Sequence, residues 1–163
     1  MLYTYIAPFV QRAEPGVGTG TVLFVFGLGA MGGVWIAGAT ADRRLRTATL
    51  SLLTVATLCL VSFGLFAHST VAVLLGFLWG GTHGGIPTLM QTAGVGAAPQ
   101  DPDTANSLWA TGWNIGMAGG SLLGGVALTG AGTGALSWTA PALLAAAVLM
   151  AALARRNGFP PAD

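Results

Sequence analysis

Charged residues in this chain are confined to five short clusters, and the stretches between them are long, apolar and membrane-sized. The clusters are Arg12/Glu14, Asp42 to Arg46, Asp101/Asp103, Arg155/Arg156 and Asp163. The uncharged stretches are 1–11, 15–41, 47–100 and 104–154. One membrane helix needs roughly 20 apolar residues. The stretches therefore hold about half a span, one span, two spans and two spans. The pattern predicts helices over 18–40, 47–67, 71–96, 104–129 and 138–154, with 1–11 as the tail of an earlier one. Segments 12–17, 41–46, 68–70, 97–103 and 130–137 are the predicted turns. The expected fold is an all-α membrane protein, a polytopic helical bundle of five full transmembrane helices plus a partial one. Long uncharged runs do not fit the alternating pattern of a barrel strand.

Composition sharpens that picture. Charged residues make up 7% of the 163, against about 25% in soluble domains. Mean hydropathy is +0.73. There is no lysine and no basic stripe, so a nucleic-acid partner is not expected; the lipid bilayer is. Cys59 is the single cysteine, which excludes an intrachain disulfide and a thiol metal cluster. His68 and His83 stand fifteen residues apart with no second ligand nearby, so no metal site and no cofactor are expected. No basic n-region precedes the first apolar stretch, as a secretory signal would require. The economical reading is that Met1 is an internal or misassigned start and more chain belongs upstream. No G-x-S-x-G, H-E-x-x-H or P-loop motif occurs, so an enzyme is not expected.

Arginine placement predicts orientation. Loop 41–46 carries three arginines and the tail 155–163 carries two. Four spans separate them, so both ends fall on one side, which the positive-inside rule makes cytoplasmic. Loop 97–103 joins them there. Its acidity is helix-start chemistry: Asp101 suits an N-cap, Pro102 the first helical position and Asp103 the positive end of the helix dipole.

The 26 glycines fall mostly inside spans. Gly112, Gly116, Gly120 and Gly124 recur every four residues and predict a helix-packing face. Gly29 and Gly33 form a GxxxG, and Gly76, Gly80 and Gly84 again recur every four. These faces serve either packing within the chain or an interface to a second bundle.

Several motifs together resemble one family. Tyr3-Thr4-Tyr5-Ile6-Ala7-Pro8-Phe9 looks like the end of the seventh helix of major facilitator superfamily transporters. The run Gly38-Ala39-Thr40-Ala41-Asp42-Arg43-Arg44-Leu45-Arg46 is similar to that family's GxLADRxGR loop, with Thr40 and Leu45 departing from it. Asn106 and Asn114-Ile115-Gly116 look like the eleventh helix of its drug and sugar efflux antiporters. The resemblance spans residues 1–154 and implies the C-terminal six-helix half of a twelve-helix transporter, first helix truncated, with 155–163 as a cytoplasmic tail. It implies substrate bound between two halves that rock about a midplane site, a missing N-terminal half as partner, and a bacterial inner membrane setting. It further implies efflux of small molecules, drugs or sugars, in exchange for protons. Gly38, Asp42, Arg43 and Arg46 would form the loop's conformational latch, or act only as topogenic charges.

No carboxylate or arginine lies inside a span, so His83 is the one midmembrane ionisable group. Trp79, His83, Pro87 and Gln91 fall on one helical stripe. With Asn114 they are the candidate substrate-cavity residues, joined by Tyr3 and Tyr5, which serve equally as interfacial aromatics. His83 and Asn114 have a structural alternative, a hydrogen bond to a neighbouring helix. Two other readings stay open: a half-size transporter working as a homodimer, and a non-transporting membrane interaction protein.

Overall fold

A computed structural model of the chain describes residues 18–65 and 69–154. All regular structure among them is helical, in four elements: α1 Thr19–Leu65, α2 Ser69–Ala97, α3 Pro102–Ala131 and α4 Thr133–Leu153. The expected partial span, with Tyr3 and Tyr5, lies outside the described residues, as do 155–163.

The helix α1 joins two of the predicted spans. Its 47 residues include one non-helical position, Arg44, at φ −148° and ψ 44°. Were it straight, Val22 and Phe63 would stand about 60 Å apart. They instead share one buried cluster with Phe26, Cys59, Leu60, Leu75, Trp79 and Ala140. The chain therefore folds back at Arg44 into two arms, 19–43 and 45–65. Segment 41–46, expected as a charged loop, is helical on both sides of that single break. By length and composition one run among the described residues, Thr19–Phe63, is apolar enough to cross a membrane. Trp138–Leu153 is apolar but shorter. Five full spans are therefore not shown.

Glycine decides how α1 and α2 meet. A Cβ on Gly29 would strike the carbonyl of Phe77, and one on Gly33 the carbonyl of Gly81. A Cβ on Gly80 would strike the carbonyl of Phe26, and one on Gly84 that of Ala30. Val22 lies against Gly76 in the same series. The pairs 22/76, 26/80 and 30/84 advance together, so the first arm and α2 run parallel in backbone contact. The second arm runs antiparallel to α2, with Phe63 against Trp79 and Leu52 against Gly85.

The two ends of α3 are set by different chemistry. Asp101 accepts the amide of Thr104 at 3.2 Å, and Pro102 and Asp103 occupy the first turn, as the sequence predicts. At the other end the expected turn over 130–137 contracts to one residue. Gly132, at φ 72° and ψ −172°, closes α3 by donating its N–H to Leu128, and α4 starts at Thr133. That backbone region is open essentially to glycine alone.

The charged break and the end of α4 lie at one end of the bundle. Arg46 Nη2 donates to the carbonyl of Ala152 at 3.2 Å, the usual role of a cation at a helix C-terminus. Its Nε is buried and has no hydrogen-bond partner among the described residues.

Two contrasts test this packing. Gly80→Ala should lower thermal stability by about 1–3 kcal/mol, the usual scale of overpacking. Gly27→Ala meets nothing within 4 Å and should be neutral or stabilising by about 0.5–1 kcal/mol. Thermal unfolding in phospholipid nanodiscs reads both; equal melting points would remove the close helix approach. Gly132→Ala should cost about 1–3 kcal/mol through its positive φ, read by the same melts.

Candidate functional site

Among the described residues, the seam between α2 and α3 brings together His83, Gln91, Asn106 and Trp113. His83 lies at the middle of α2, exposed on the surface of this chain. Its ring centroid is 5.5 Å from Phe26, 6.3 Å from Trp79 and 6.4 Å from Trp113. Three helical segments thus converge on one imidazole. Trp109 stacks on Trp113 at 5.7 Å with an interplanar angle of 17°, a contact their spacing of four residues allows.

Two turns along α2, Gln91 Nε2 donates to Asn106 Oδ1 at 2.6 Å. The amides bridge α2 and α3 close to the 98–101 connection. The pairs 83/113 and 91/106 define an antiparallel register. The seam therefore runs from the loop end of the bundle to mid-helix, with amides at one end and aromatic rings at the other. Pro87 lies between and supplies no N–H to the carbonyl of His83.

The candidate residues fall into three settings. Trp79 is 7% exposed, edge-on to Phe26 at 4.9 Å and to Phe63 at 6.2 Å, within the core beneath His83. His83 and Gln91 line the seam. Asn114 is exposed and donates Nδ2 to the carbonyl of Ala110, 2.9 Å away on its own helix. Being next to Trp113, it is rotated about 100° from the seam. Tyr3 and Tyr5 lie outside the described residues.

The loop-motif residues also divide. Gly38, Asp42 and Arg43 are exposed, and Gly38 has open space where a Cβ would lie. Arg46 alone reaches another element, through Ala152. The four-residue glycine series on α3 winds around that helix. Gly112 and Gly116 face open space, Gly120 is half-buried and Gly124 is buried. A spacing of four drifts about 40° per step on a helix of 3.6 residues per turn, so the series passes from the outer side of α3 to the bundle.

Trp109 and Trp113 escaped the sequence reading, as did Phe26. Their four-residue spacing marks the two tryptophans as sharing a face. Nothing in the sequence says that this face meets His83.

The chain is 30% identical over 131 residues to a probable sugar efflux transporter of Mannheimia succiniciproducens, covering 75% of this chain and 32% of that protein. It is 29% identical over 153 residues to the uncharacterized MFS-type transporter YfhI of Bacillus subtilis, covering 92% and 37%. It is 27% identical over 146 residues to a probable sugar efflux transporter of Helicobacter pylori, covering 86% and 37%. No family model matches, and no solved structure matches. The chain is thus related to transporters of the major facilitator superfamily along most of its length. It spans about a third of the length of these curated relatives, which are named as transporters and not as enzymes.

The amide bridge yields a double-mutant test. Gln91 and Asn106 are both exposed, so Asn106→Leu should cost about 0.5–1.5 kcal/mol, the net worth of one hydrogen bond. Adding Gln91→Leu should restore part of that loss, because both polar groups are then gone. Melting points of the two single variants and the double variant in nanodiscs measure the coupling. Additive losses would mean that the bond contributes nothing.

Proposed function

We propose that residues 1–154 act as the C-terminal six-helix half of a major facilitator efflux transporter in a bacterial inner membrane. In this reading the substrates are small molecules, drugs or sugars. They bind between this half and an N-terminal half near midplane, and the halves rock to alternate access. The observation that carries the reading is the relationship to proteins named as sugar efflux transporters. The His83 seam supports it, because polar side chains at membrane depth belong against protein or a water-filled cavity.

His83, Gln91 and Asn114 are the proposed cavity residues, with Tyr3 and Tyr5, and Trp79 acts from beneath His83. Asp42, Arg43 and Arg46 are proposed to hold the cytoplasmic end in one conformation; the grip of Arg46 on α4 supports that. The outer part of the Gly112, Gly116, Gly120 and Gly124 series is proposed to receive a helix of the other half. Coupling is proposed to be proton antiport. No carboxylate lies in 47–100 or 104–154, so the coupling acid is assigned to the N-terminal half. The arginine-bearing ends 42–46 and 155–163 are assigned to the cytoplasm. Arg46 and Ala152 meet at one end of the bundle, which agrees with their sharing a side.

Flux and labelling test this together. Residues 1–163 reconstituted alone should show no saturable gradient-driven flux; saturable uptake would instead favour a homodimer. In a Cys59→Ser background, a cysteine at Arg155 should react only from inside, and labelling from outside would invert the topology. His83→Ala in the assembled transporter should change substrate affinity while leaving abundance intact. Unchanged affinity with reduced abundance would make His83 structural.

A further inference from the structure

The end of the bundle where α1 breaks and α4 stops carries a cluster of arginines. Arg43, Arg44 and Arg46 fall within four residues at the break. Arg43 and Arg44 are exposed, and Arg46 is half-buried. Among the described residues none of the three forms an ion pair with a carboxylate. Asp42 beside them is exposed, and Asp101 accepts the amide of Thr104 at the start of α3. Arg46 donates Nη2 to the carbonyl of Ala152. Its Nε is buried without an acceptor among the described residues, and a buried donor on a charged group calls for one.

Two features of this end fit a phosphate that belongs to a lipid. The first is the choice of cation. All six cationic side chains of the protein are arginines. Lysine would serve orientation equally, whereas a guanidinium fork matches two phosphate oxygens at once. Arg44 and Arg46 stand two residues apart, so their Cα atoms lie within about 8 Å, close enough for both forks to reach one phosphate. The second feature is apolar surface beside the cations. Leu149 and Leu153, one turn apart at the end of α4, are 64% and 84% exposed. Ala152, which Arg46 holds, lies between them in sequence. Cations next to an exposed apolar face suit a headgroup with its acyl chains; a soluble phosphate would gain nothing from the leucines.

We propose that this end of the bundle binds an anionic phospholipid. Its phosphate lies between Arg44 and Arg46, with Arg43 beside them, and its acyl chains run along Leu149 and Leu153. A lipid so placed ties the break in α1 to the end of α4 and gives the Arg46 guanidinium an acceptor. The inference goes beyond the transport reading: it rests on the membrane setting and on no substrate.

The test is lipid retention by the full chain, purified in a nonionic detergent and exposed to equal amounts of palmitoyl-oleoyl phosphatidylglycerol and phosphatidylcholine. Native mass spectrometry counts the lipids that stay bound. Phosphatidylglycerol should be retained in preference to phosphatidylcholine. Arg43→Gln combined with Arg44→Gln should weaken that preference about twenty-fold, from about fivefold for each arginine near an anionic headgroup. Both side chains are exposed, so melting in phosphatidylcholine nanodiscs should stay unchanged, which separates lipid binding from folding damage. Arg44→Lys should lose part of the preference, since a point charge replaces the fork. Arg12→Gln removes the one arginine outside 43–46 and 155–156 and should change nothing. Glycerol 3-phosphate should not displace the lipid.

Equal retention of the two lipids overturns the proposal. So does a preference that survives the double glutamine variant, is whole in Arg44→Lys, or falls equally with Arg12→Gln. Full displacement by glycerol 3-phosphate would make the ligand a free phosphate and overturn it as well. If phosphatidylglycerol is retained as described while the assembled transporter exports nothing, the transport reading falls and the lipid site stands. If retention is absent while export proceeds, the lipid site falls and the transport reading stands.

Discussion

The backbone contact between the first arm of α1 and α2 is the constraint on which the rest of the bundle depends. Gly29 and Gly33 on one helix, and Gly80 and Gly84 on the other, let carbonyl oxygens sit where a Cβ would be. In a bilayer, lipid tails compete for the same apolar surface, so helix association relies on close packing between backbones. The parallel register brings Phe26 over Trp79 and beside His83. Without that contact the imidazole would have one fewer wall.

Polar side chains are handled by the same logic. Thr49 and Thr82 are buried and donate to the carbonyls of Leu45 and Trp79, both at 2.8 Å. Thr54, Thr57, Thr92 and Thr111 make the same bond within their own helices. Such back-bonding satisfies a hydroxyl without a second element. The Gln91–Asn106 pair differs, since its bond crosses between helices. A side chain satisfied within its own helix says little about neighbours; one satisfied across a seam fixes the spacing of that seam.

The helix α3 is held unevenly. Its C-terminal part reaches the core through Ala127 and Leu128, while Leu108, Ile115 and Leu122 are largely exposed. Its N-terminal part meets α2 through the amide bridge and the Trp113–His83 contact. Both contacts lie on the seam that carries His83 and Gln91.

The sequence by itself determined the helical class and the start of α3. Those follow from local rules: hydropathy over about 20 residues, and cap chemistry at Asp101, Pro102 and Asp103 within one turn. It also marked 29/33 and 76/80/84 as small-residue faces. Only the tertiary structure decided which faces meet, because glycine spacing names a surface and not its partner. The reversal at Arg44 needs one residue in place of a six-residue loop, since two helices held by distant contacts can turn on a single pair of dihedrals. The α3/α4 turn contracts to Gly132 for a related reason: one glycine conformation reverses the chain, and the glycines around it are free to stay helical. The site divided in the same way. His83 was legible because an ionisable group is rare at membrane depth. Trp109, Trp113 and Phe26 were not, because three helices must be brought together before their rings share a surface.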